Sequence, residues 1–83
     1  MIVSLHNFRG SKYFINTDNI NCVEIYPADP ETYAKEIAES GGGPLSFIYI
    51  DWHGGTSSTR ILVSSETAEE FLPNVFNDVI ELL

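Results

Sequence analysis

The segment Glu66 to Leu83, ETAEEFLPNVFNDVIELL, carries the longest apolar stripe in the chain. Ala68, Phe71, Leu72, Val75, Phe76, Val79, Ile80 and Leu83 recur at steps of three and four, the spacing of one α-helical face. The positions between them, Glu66, Glu69, Glu70, Asn74, Asn77, Asp78 and Glu81, make the opposite face polar and acidic. At ~1.5 Å per residue such a helix is roughly 27 Å long, about the width of a small domain. Burying its large apolar side chains contributes on the order of 10 kcal/mol before chain entropy is subtracted. Pro73 sits inside the stripe, where it removes a backbone donor and crowds the preceding turn. A kink is expected there, or a turn after which the helix starts afresh.

The helix needs a surface to cover, and the strand patterns upstream supply one. Leu45 to Trp52 is the strongest, with Leu45, Phe47 and Tyr49 on one face and Ile48, Ile50 and Trp52 on the other. His53-Gly54-Gly55-Thr56 turns the chain, and Thr59 to Val63 returns as an antiparallel partner. Ser64 and Ser65 then stand where a helix cap belongs. Earlier, Ile2 to Phe8 reads as a strand, Arg9-Gly10-Ser11 as a turn, and Tyr13 to Ile15 as a second strand. Ile20 to Tyr26 is a third, in which Cys22 is expected as a small core residue.

Pro27-Ala28-Asp29-Pro30 marks the start of a second, shorter helix over residues 30–39: Asp29 can cap free amides and Pro30 suits the first helical position. Tyr33, Ala34, Ile37 and Ala38 share one side of it, and Glu31, Lys35, Glu36 and Glu39 the other. Ser40-Gly41-Gly42-Gly43-Pro44 ends it as a flexible connector. A phosphate-binding loop would need a strand before the glycines and a Lys-Ser/Thr helix start after them, and the order here is reversed. The expected architecture is a single α+β domain over residues 1–83. It is a curved antiparallel sheet of about five strands in the order β-β-β-α-β-β-α, packed on the long C-terminal helix with a short second helix.

Composition narrows the function classes. The 83 residues are 43% hydrophobic and 12% aromatic, which is the make-up of a folded globular domain. Twelve acidic residues stand against Arg9, Lys12, Lys35 and Arg60, for a net charge of −8. Direct nucleic-acid binding depends on basic side chains that release phosphate counterions, so so few cations argue against it, and an anionic membrane surface is disfavoured alike. The electrostatic complement is a protein with a basic surface, although acids also serve simply to keep a small protein soluble. Cys22 is the only cysteine, which excludes an internal disulfide framework. No run approaches the ~20 apolar residues of a membrane span and no signal-peptide pattern opens the chain, so a cytoplasmic location is expected.

Signatures of catalysis and metal binding are weak. His6 and His53 are the only histidines, and Asp51 with His53 falls short of a structural zinc set. Ser57 and Ser58 near His53 are ordinary turn residues, and Glu69 beside Glu70 reads as solvated helix face. No enzyme, metal or cofactor is expected. More informative are Tyr26, Phe47 and Tyr49, with Tyr13, on a sheet face that one long helix leaves uncovered, together with Tyr33 on the short helix. Either helix 30–39 covers that face or a partner does, with a homodimer as the commonest solution. The acids form a second candidate surface: Glu31, Glu36 and Glu39 on the short helix, and Glu66, Glu69, Glu70, Asp78 and Glu81 on the long one. Carboxylates along a rigid rod can imitate a phosphate backbone. In size and charge the chain resembles small phage-encoded inhibitors of nucleic-acid enzymes, the anti-CRISPR and other anti-defence types.

A resemblance of motif lies elsewhere. Leu5 through Gly10, then Tyr13-Phe14-Ile15-Asn16, Ile20 and Val23-Glu24, followed by Gly55, Val63, Ser65 and the acidic–apolar helix from Glu69, resemble the small FlbD-type flagellar accessory proteins. Pro27 to Pro44 departs from that family, which has a tight connection there, as does the lack of a Lys-rich character. The resemblance implies a non-enzymatic cytoplasmic role in flagellar motor function and transfers no site residue.

Three functional expectations follow. The first is a non-catalytic acidic protein docking on a macromolecular partner, in its sharper form an inhibitor of a nucleic-acid-handling complex. The second is a FlbD-like accessory protein. The third is a small anionic-ligand module in an oligomer, which requires Arg9, Arg60 and the glycine loops to converge.

Overall fold

A computed structural model describes residues 1–55 and 57–76. Its elements are β1 (Ile2–His6), β2 (Lys12–Asn16), a short 3-10 turn (Thr17–Asn19), β3 (Ile20–Pro27), α1 (Ala34–Glu39), β4 (Leu45–Trp52), β5 (Ser58–Ser64) and α2 (Ser65–Val75). The fold is α+β.

The five strands do not make one sheet. β1 and β2 form an antiparallel ribbon, and β3, β4 and β5 form a separate antiparallel sheet with β4 at its centre. One main-chain bond bridges the two, from Phe8 N–H to the Leu62 carbonyl at 2.8 Å. The physical cause lies in the core. Ile48, Ile50, Ile61 and Val63 present one face of the larger sheet to Ala68 and Phe71 of α2, while Leu5 and Ile15 of the ribbon close on the same cluster. The ribbon therefore wraps toward the helix instead of extending the sheet edge in plane.

Turn chemistry sets the ribbon's register. The Asn7 side-chain carbonyl accepts from the amides of Arg9 and Ser11, each at 2.9 Å, and Gly10 takes a φ of +88°. In β3 a bulge between Ile20 and Cys22 inserts Asn21, so that Ile20 as well as Val23 and Ile25 packs on the core. Cys22 is consequently exposed opposite Asp51, where the apolar pattern of its neighbours predicts a core position.

The C-terminal helix is capped as its sequence predicts. Ser64 adopts an extended conformation and its hydroxyl accepts from Thr67 N–H at 3.1 Å, while Ser46, the one buried polar residue among the described residues, pairs with Ser65 through their hydroxyls at 2.8 Å. Ser64→Ala is expected to cost about 1 kcal/mol of stability, read as a shift in the urea midpoint without change of slope. The helix ends sooner than its apolar stripe. Pro73 lies inside the last turn, and Phe76 is extended at φ −122° and ψ 120°. Lacking its own N–H, Pro73 leaves the Glu69 carbonyl without a helical donor, and the helix runs only two residues further. The predicted continuation over 77–83, including Asp78 and Glu81, lies outside the described residues.

The second helix also forms less than its pattern predicts. Asp29 accepts from both the amide and the hydroxyl of Thr32, at 3.0 and 2.6 Å, so residues 30–33 turn before α1 begins at Ala34. The Thr32 hydroxyl, then its amide, holds the Asp29 carboxyl below the usual carboxylate range. At the other end Gly41 and Gly42 take positive φ and their amides return to Ala38 and Ile37. Two of the three glycines are thus a helix C-cap.

Candidate docking surface

The second face of the larger sheet is covered from within the chain at one end. Phe47, 6% exposed, packs with Leu45 and Ala28, and Tyr33 and Ile37 lie over them. The Tyr33 ring meets Phe47 edge-on at 5.1 Å, the Tyr26 ring lies 5.4 Å away, and the Arg60 guanidinium sits 4.7 Å over the same ring. Phe47 is therefore an interior anchor and offers no open contact. Tyr26 and Tyr49 are half-buried, with Tyr49 aligned between Glu24 and Arg60 across the three strands. Exposed aromatic surface lies on the ribbon instead. Phe14, 69% exposed, and Ile2, 61% exposed, share its outer face. The signal was present in Tyr13-Phe14-Ile15, since alternation must turn Phe14 outward once Ile15 is buried.

The acidic candidates divide into three sets. Glu31, Glu39, Glu66, Glu69 and Glu70 are exposed and Glu36 is half-buried. Glu39 is tied to Arg9, Nε to Oε2, at 3.5 Å. Glu66, Glu69 and Glu70 on α2 have no cationic partner among the described residues. They form a compact negative surface on the first two turns of the helix, with Glu66 and Glu70 one turn apart on one side. The third set, Asp78 and Glu81, falls outside the described residues.

Other imagined sites do not assemble. Asp51 accepts from the Asn21 side-chain amide at 2.9 Å, and His53 is exposed at the end of β4. No group of three His, Cys, Asp or Glu side chains with metal-binding geometry occurs among the described residues. Arg9 and Arg60 are engaged separately, by Glu39 and by the Phe47 ring, so neither is aimed at a common anion site. No helix among the described residues is long and apolar enough to cross a membrane.

Concave surface lies between β1 and α2. One cavity of about 190 Å³ is lined by Ser4, His6, Thr67, Glu70 and Asn74 with Phe71 at its floor, and a second of about 170 Å³ continues past His6 and Thr67 toward Ser64 and Pro44. α2 packs against β1, and His6 and Thr67 line both cavities. Sequence periodicity had no access to this groove, because it lies between β1 and α2, which are far apart in the chain.

The class that fold and surface define is a small α+β domain presenting an acidic helix beside an open groove. The chain matches no protein-family model, no curated protein and no solved structure.

Proposed function

We propose that the protein is a non-catalytic acidic binding protein that docks on a basic surface of a protein partner through α2. The carrying observation is the triplet Glu66, Glu69 and Glu70, exposed on a capped helix and without a cationic partner among the described residues. Carboxylates carried on a formed helix keep their charge toward solvent and need no further backbone ordering to meet a partner's Lys or Arg side chains. In its sharper form the partner is a nucleic-acid-handling complex in the cytoplasm, and α2 occupies ground otherwise held by a phosphate backbone. That is the action of an inhibitor of the phage-encoded anti-defence kind. With a net charge of −8, the field of the whole chain steers a basic partner toward the helix.

The experiment is affinity capture from host lysate at low and high salt, with wild type beside the variant Glu66→Lys, Glu69→Lys, Glu70→Lys. Recovery of a nucleic-acid-processing complex that is lost at high salt and lost by the variant supports the proposal. Recovery of flagellar motor components, indifferent to salt and to the variant, overturns it.

A further inference from the structure

The outer edge of β1 is an open strand edge. In an antiparallel pair, alternate residues direct their main-chain groups to the partner and the others direct theirs away. Thr17 N–H bonds to the Met1 carbonyl at 3.0 Å and Asn7 N–H to the Ser11 carbonyl at 2.9 Å, so the odd-numbered residues of β1 face β2. Ile2, Ser4, His6 and Phe8 face the other way. Phe8 confirms the parity, because its N–H reaches Leu62 of β5. The ladder stops there. Among the described residues no backbone partner meets the amides and carbonyls of Ser4 and His6, and both residues line the groove against α2.

We infer that this groove takes an extended, lysine- or arginine-bearing segment of the protein partner, added to β1 as a further strand beside α2. The inference rests on the acidic-docking reading and names its site and the conformation of the bound segment. Ser4 and His6 each offer one donor and one acceptor, enough to fix the register of an added strand. The far wall supplies the charge. Glu70 lines the groove and Glu66 stands one helical turn before it. Their backbone positions are ~6 Å apart along the axis, and alternate side chains of an extended strand are ~6.7 Å apart. Two cations at alternate positions of the incoming strand therefore have nearly the spacing of these two carboxylates on α2. Phe71 beneath the groove gives an apolar floor to the stem of a long basic side chain.

A synthetic peptide of about eight residues alternating lysine with valine tests this, beside the same peptide N-methylated on the backbone amides of one edge and then of the other. Methylation removes donors while leaving every charge in place. Binding by the unmodified peptide is expected to weaken about tenfold or more on methylation of one edge, and similarly with Glu70→Lys. The amides of Ser4 and His6, which have no backbone partner among the described residues, are expected to exchange fast in the free protein and to become protected in the complex. Equal binding of all the peptides overturns strand addition. If that equal binding is still weakened by Glu70→Lys, acidic docking survives while the edge site falls. Protection at Lys12 and Phe14 on β2, in place of Ser4 and His6, also overturns the inference. So does concentration-dependent protection of Ser4 and His6 in the free protein, because a second copy then holds the edge.

Discussion

Phe71→Ala is expected to lower the unfolding free energy by about 3–5 kcal/mol, the largest effect of any single substitution in the described core. Phe71 is 2% exposed and belongs to the one core cluster that joins Leu5 and Ile15 of the ribbon, Ile48 and Ile50 of the larger sheet, and α2. Truncation leaves a cavity that rigid strands on both sides cannot collapse to fill. A domain of this size has a total stability of roughly 4–12 kcal/mol, so the variant should be largely unfolded at elevated temperature. Urea denaturation followed by circular dichroism measures the change. Phe76→Ala, at a side chain 37% exposed, serves as the comparison and should cost under about 1 kcal/mol. Equal losses for the two variants would mean that α2 is not seated through Phe71.

The second large effect is on binding. Reversing Glu66, Glu69 and Glu70 together to Lys should weaken association with a basic partner by about a hundredfold or more at low ionic strength, chiefly through slower association and loss of charged contacts. Each reversal replaces an attraction with a repulsion, so three exposed sites at about 1 kcal/mol apiece reach that magnitude. The fold should persist, because all three side chains are exposed. Glu66 lies in the first turn of α2, and a lysine there meets the positive end of the helix dipole at a cost of about 0.3–1 kcal/mol. Circular dichroism and the urea midpoint separate that small loss from the binding defect. An unchanged affinity would reduce the triplet to a solubilising surface.

Much of the fold was legible in local chemistry. Alternation in Leu45 to Trp52 correctly divides the residues facing α2 from those facing α1, and Ser64 marks the start of the helix. The interruption expected at Pro73 was itself legible, and α2 ends at Val75, while the stripe from 77 to 83 lies outside the described residues. What local patterns could not carry was competition between distant parts. The 30–39 pattern is helical throughout, but the Asp29–Thr32 bonds hold its first residues in turns. Cys22 sits in an apolar run, and the bulge at Asn21 turns it outward. Five strand patterns were correctly placed, whereas their division into two sheets depends on how Leu5 and Ile15 pack against Phe71.

The candidate surface was legible in the same partial way. Exposure of Glu66, Glu69 and Glu70 follows from their position opposite the helix stripe, and their lack of cationic partners among the described residues follows from a chain with few lysines and arginines. The aromatic candidates behaved differently, since Phe47 is withdrawn beneath Tyr33 and Arg60 while Phe14 stands exposed. Burial on a sheet face depends on what packs over it, and the two-residue period alone cannot supply that.

The most direct measurement is the dissociation constant of the captured partner across a salt series, from about 50 to about 300 mM, for wild type and the triple reversal. Docking through α2 predicts a wild-type constant that rises at least about tenfold over that range, and a variant that binds weakly at every salt concentration. A wild-type constant indifferent to salt, matched by the variant, would contradict docking through the acidic helix.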